Sequence, residues 1–134
     1  MDLSKLNYLA VLAAAVSSFA IGGVWYSPVL FGAVWMKETG LSDSDLRRRN
    51  LGLVFGCSFL LSLVIAFNLA AFLQGPADLA WGLMAGALAG IGWVATAFGV
   101  TYLFEARSMK LFLVNAGYHA ATFVVMGGIL GVWK

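Results

Sequence analysis

The chain has 134 residues, 62% of them hydrophobic and only 10% charged, with mean hydropathy +0.92 and a net charge of +2. A soluble domain is nearer half apolar and a quarter charged, and a chain this small has too little interior to hide the excess. Lipid is therefore the expected solvent. The small net charge argues against nucleic acid as a partner, and the single cysteine, Cys57, excludes an intramolecular disulfide and a thiolate zinc site.

The first apolar run covers about 6–26 and stops before Pro28. Its charged prefix, Asp2 and Lys5, is weak and no small-residue cleavage site precedes a soluble domain, so it reads as a retained helix rather than a signal peptide. "PVLFGAVWMK" follows, apolar but too short to span, and is expected to lie along the interface with Trp25, Tyr26 and Trp35 as headgroup-level anchors. The polar loop at about 37–50 contains "LSDSDLRRRN", which predicts a short helix capped by Ser42, with Asp45 closing a capping box. Acids at its start and Arg47, Arg48 and Arg49 at its end suit the helix dipole.

The second, third and fourth runs cover about 51–73, 79–104 and 111–133. Each has about the 20 apolar residues that a bilayer crossing needs. "QGPAD" and "EARSMK" join them, with Pro76 near the start of span three and Asp78 in its first turn. Such short connections predict antiparallel, adjacent neighbours. The expected fold is an all-α integral membrane protein, one domain over 1–134, with four transmembrane helices in an up-and-down bundle and a short interfacial or cytoplasmic helical segment between helices 1 and 2. Lys37, Arg47, Arg48, Arg49, Arg107 and Lys110 fall on one side and Lys5 and Lys134 on the other. The positive-inside rule then puts the basic loops in the cytoplasm and both termini outside.

Small residues four apart let helices approach closely in lipid. Gly82, Gly86 and Gly90 form such a row in span three, Gly52 and Gly56 in span two, and Gly127 and Gly131 in span four. The spacing does not distinguish packing within one chain from packing between copies. A weak internal echo pairs Gly22-x-x-Trp25 with Gly90-x-x-Trp93, as two parallel hairpins would.

The polar residues inside the spans are few. Asn115, His119 and Thr122 fall on one face of span four, and His119 is the only histidine. Together with Ser17, Ser18, Asn68, Thr96 and Thr101, they are expected to make interhelical hydrogen bonds. The functional alternative is that they line a proton or solute path, since ionisable groups inside a membrane are functional candidates. Glu105 and Arg107, at the end of span three, complete a candidate polar cluster with Asn115 and His119. No catalytic spacing, metal motif or cofactor motif is present, so no catalytic residue, metal or cofactor is assigned.

"GGVWYSPVLFGAVWMK" and "NAGYHAATFVVMGGILGVW" resemble the bacterial membrane-protein family called domain of unknown function 1761. Trp25-Tyr26-Ser27-Pro28, Phe31-Gly32, Trp35-Met36 and Asn115 to His119 carry the resemblance. It implies a small multi-pass protein of a bacterial inner membrane and lends no activity. The expected function is a structural or interaction protein that self-associates as a homo-oligomer, or serves as an accessory subunit of a larger membrane complex, through its glycine faces. An oligomeric transporter or channel using Asn115, His119 and Thr122 is the alternative. An interfacial lipid enzyme using Glu105, Arg107 and His119 is the third reading.

Overall fold

The computed structural model describes residues 1–134, and the chain is helical without strands. After a 3₁₀ turn at Leu3–Lys5 come α1 (Tyr8–Trp25), α2 (Gly32–Thr39), α3 (Asp43–Arg48), α4 (Leu51–Phe72), α5 (Leu79–Phe104) and α6 (Met109–Val132). Four of these, α1, α4, α5 and α6, are long and apolar enough to cross a membrane.

Side-chain caps start each long helix. The oxygens of Asn7, Asn50, Asp78 and Ser108 accept backbone N–H bonds from the first turns of α1, α4, α5 and α6, satisfying donors that would otherwise be orphaned. Asp78 is thus the cap of α5 rather than a first-turn residue. Ser42 and Asp45 form a reciprocal capping box at α3. The Ser42 bonds hold the Asp45 carboxyl below its ordinary value. That cap is therefore fully formed at neutral pH and is lost as the pH falls through the lowered value.

The turns carry their own constraints. A Cβ at Gly32 would overlap the Tyr26 carbonyl oxygen, so only glycine lets the chain fold back from α1 into α2. Ala106, at φ 54°, ends α5 in the left-handed conformation that glycine usually supplies. The N–H groups of Ala106 and Arg107 bond back to the carbonyls of Leu103 and Tyr102, closing the helix end.

Contacts fix the arrangement. Ser18 faces Ser62, and Phe19 packs on Phe55 and Phe59, so α1 runs antiparallel to α4. Trp25 meets Val114 and Tyr118 meets Ser18, so α1 is also antiparallel to α6. Gly82 lies against Gly127, and Gly90 against Ala120 and Phe123, so α5 is antiparallel to α6. The side-by-side order is α4, α1, α6, α5. The expected adjacency of α4 and α5 holds only near their turn, where Phe72 and Trp81 lie 6.4 Å apart. Beyond it, α6 packs against both α1 and α5, leaving an apolar groove of about 670 Å³ between α4 and α5.

The core is made of small side chains. Ala10, Val11, Ala14 and Ala15 of α1 meet Ala66, Leu69 and Ala70 of α4, with Ala85, Met126 and Leu130 completing the cluster. It lies at the end of the molecule that holds both termini. There Asp2 and Gln74 bond reciprocally and Lys134 Nζ donates to the Leu73 carbonyl.

The glycine rows divide into two kinds. A Cβ at Gly82 would overlap the Gly127 carbonyl oxygen, one at Gly86 the Phe123 carbonyl oxygen, and one at Gly131 the Asp78 carbonyl oxygen. These glycines are packed backbone to backbone within the chain. Gly56 meets nothing within 4 Å and Gly52 meets only its own cap, Asn50. The expected packing role of Gly52 and Gly56 therefore has no counterpart within one chain.

Replacing Gly86 with Leu is expected to cost about 3 kcal/mol, because the α5–α6 backbones must separate. Gly56→Leu is expected to stay within about 0.5 kcal/mol. Unfolding of both variants in detergent, followed by circular dichroism, measures the difference.

Candidate functional site

The polar chemistry lies at the other end, where six basic residues gather around the α2–α3 segment and the α5–α6 turn. A chain of three side chains ties α1, α6 and α5 together. Tyr26 O–H donates to Asn115 Oδ1 at 2.8 Å, and Asn115 Nδ2 donates to Tyr102 O–H at 2.8 Å. The Asn115 carboxamide is thus bonded on both sides, as a polar group inside an apolar assembly requires. Trp25 Nε1 donates to the Val114 carbonyl at 2.9 Å, and Tyr118 O–H donates to the Ser18 carbonyl at 2.9 Å. Each large ring has a glycine opposite it. A Cβ at Gly117 would come within 3.0 Å of the Trp25 ring, and one at Gly22 within 3.4 Å of Tyr118.

These contacts revise two expectations. Trp25 and Tyr26, expected as outward-facing anchors, turn inward and bond to α6. Trp35, on α2, packs edge-on against Tyr26 with ring centres 5.8 Å apart. The hydroxyls and amide expected to bridge helices mostly fold back on their own. Ser17 donates to Ala14, Thr96 to Gly92 and Asn68 to Val64. A carbonyl three or four residues back is already within reach, so no second helix is needed. Ser18 does both, donating to the Ala15 carbonyl and lying 3.2 Å from the Ser62 hydroxyl across α4.

The expected stripe is not one continuous site. Asn115 belongs to the tyrosine chain. His119 lies between Phe98 and Tyr118, with ring centres 5.1 and 5.0 Å away. Thr122 is buried with its hydroxyl unpartnered. Glu105 and Arg107 form an exposed ion pair at 3.7 Å, and no hydrogen bond joins it to Asn115 or His119. No three metal-ligating side chains converge anywhere in the chain.

Sequence reasoning missed Tyr102, Tyr118 and Phe98 as members of this network. Their only signal was that three of the four tyrosines fall in the half of the molecule that also carries Asn115. It also missed the π-helical stretch Gly90–Ala95 in α5. There the Thr96 hydroxyl donates to the Gly92 carbonyl, which the widened turn leaves accessible.

Four helices long and apolar enough to cross a membrane, with Leu, Phe and Trp side chains on the outside, mark a membrane protein. The family described as "Protein of unknown function (DUF1761)" matches residues 9–131, nearly the whole chain, and the protein belongs to it. No curated protein and no solved structure matches the chain.

Tyr26→Phe is expected to cost about 1 kcal/mol, and a double-mutant cycle with Asn115→Ala to return a coupling of similar size. Thr122→Val removes an unpartnered buried hydroxyl and is expected to leave stability unchanged or to raise it by up to about 1 kcal/mol. Equilibrium unfolding in detergent tests both, and a loss of more than about 1 kcal/mol in Thr122→Val contradicts the second.

Proposed function

We propose that this protein is a structural and interaction unit of the membrane that pairs with a second copy of itself through α4. The observation that carries this reading is the uneven burial of the spans. Within the apolar windows, 44% of residues are buried in α6 but 11% in α4, the most apolar span. Gly52 and Gly56, where an added Cβ would meet no other helix, lie four apart on that same helix. In lipid a glycine row forms a shallow groove that another helix fills at close range. The rows on α5 and α6 close on each other within the chain, whereas the row on α4 stays open. Pairing α4 with α4 uses one surface twice, so it closes after two chains.

Six basic residues at one end and two at the other support an orientation with the α2–α3 segment in the cytoplasm and both termini outside, as in a bacterial inner membrane. In the bilayer the four spans form an up-and-down bundle. The transport reading has less support, because Asn115 is bonded on both sides and Thr122 is buried in helix packing. The exposed position of Glu105 and Arg107, apart from His119, likewise gives an enzymatic reading little to stand on.

Cys57 is exposed and follows Gly56, about 100° further round α4, so it flanks this face. A flexible thiol cross-linker long enough to reach round the contact, applied to membranes, is expected to yield a covalent dimer that disappears in Cys57→Ser and falls severalfold in Gly56→Leu. A monomeric mass in mild detergent together with no cross-linked product sinks the reading. Cross-linking to a different chain replaces self-association with an accessory role.

A further inference from the structure

A second cavity, of about 590 Å³, lies between α1, α4 and the α2–α3 segment. This is within the size range of small-molecule sites. Phe19, Val54, Phe55 and Met36 give it apolar walls. A Cβ at Gly23, on its α1 wall, meets nothing within 4 Å, so that position faces open space. Tyr26 and Tyr118 close the inner side, and both phenol groups donate to protein acceptors, Asn115 and the Ser18 carbonyl. The Ser18 and Ser62 hydroxyls face each other.

Other polar groups on the lining keep donors free, and two of them, Ser58 and Arg49, lie on the α4 side. The Ser58 hydroxyl, half-buried on α4, has no hydrogen-bond partner in the chain. Arg49 is the one charged residue of the lining. Its Nε donates to the Leu46 carbonyl, while the chain's ion pairs are Lys5–Asp2 and Arg107–Glu105, so its terminal nitrogens face no carboxylate. Arg49 closes the end of α3 two residues before α4, and Ser58 lies about 10 Å along α4 from its first residue, Leu51. The lining therefore places a cation at headgroup level, a hydroxyl donor below it and apolar walls alongside.

We infer that this cavity binds an anionic phospholipid from the leaflet next to the α2–α3 segment. The phosphate pairs with Arg49, an ester carbonyl accepts from Ser58, and an acyl chain lies along Phe19, Val54 and Phe55. Free phosphate fits less well, because the walls are apolar and one guanidinium is the only cation. A zwitterionic lipid places its own cation beside its phosphate and gains less from Arg49. The guanidinium fork matches phosphate oxygens in pairs, which separates this contact from diffuse attraction to the three-arginine run.

The test is native mass spectrometry of the delipidated full chain in detergent, titrated with phosphatidylglycerol and with phosphatidylcholine. One phosphatidylglycerol per chain is expected, bound about tenfold more tightly than phosphatidylcholine, the gain of one charge-assisted contact. Arg49→Gln should remove that preference, whereas Arg47→Gln, whose side chain is not on the lining, should retain it. Gly23→Phe should abolish uptake of both lipids by filling the cavity. If that variant does not fold, Ser58→Phe fills the same space from the opposite wall. Equal binding of the two lipids, a preference that survives Arg49→Gln, or equal loss in Arg47→Gln overturns the inference. So does displacement of the lipid by inorganic phosphate, which would mark a site for the free anion.

Discussion

The close approach of the α5 and α6 backbones is the constraint on which the rest of the structure depends. Gly82 and Gly127 touch main chain to main chain, and Gly86 and Gly131 do the same against Phe123 and Asp78. Between helices in lipid the hydrophobic effect supplies little, so association rests on van der Waals contact at short range. That seam makes α6 the helix shared between α5 and α1. It also explains why α4, joined to α5 by a short turn, diverges from it along most of its length.

The two ends of the molecule are built from different side chains. Near the termini the alanines of α1 and α4 bring the helices close. Towards the basic end the rings of Trp25, Tyr26, Tyr102 and Tyr118 fill the space between α1, α5 and α6. The change of side chains has two counterparts. Polar groups are needed to fix the geometry, which the Tyr26–Asn115–Tyr102 chain does. Space is also left between α1 and α4, and the α2–α3 segment with Arg49 borders it. The cavity lies where the alanines of α1 give way to Phe19 and Tyr26.

Much of the fold was legible in the sequence because it is written locally. Apolar run length and the Ser42–Asp45 capping box act through near neighbours. The site was legible only in part. Asn115 and His119 stood out as polar residues in an apolar run, but nothing in their spacing distinguishes a bonded carboxamide from a solute path. Asn115 is resolved by Tyr26, which is 89 positions away, and by Tyr102, on a different helix.

By itself the sequence determined the solvent, the number of spans, their ends and the asymmetry of charge, since each follows from composition over about twenty consecutive residues. Only the tertiary structure decided which glycines face backbone and which are left open on the outside of the chain, that Trp25 and Tyr26 turn inward, and that α6 separates α5 from α1. Each of those depends on which helix faces which, and a four-residue spacing reads the same on every side of a helix that is apolar all round.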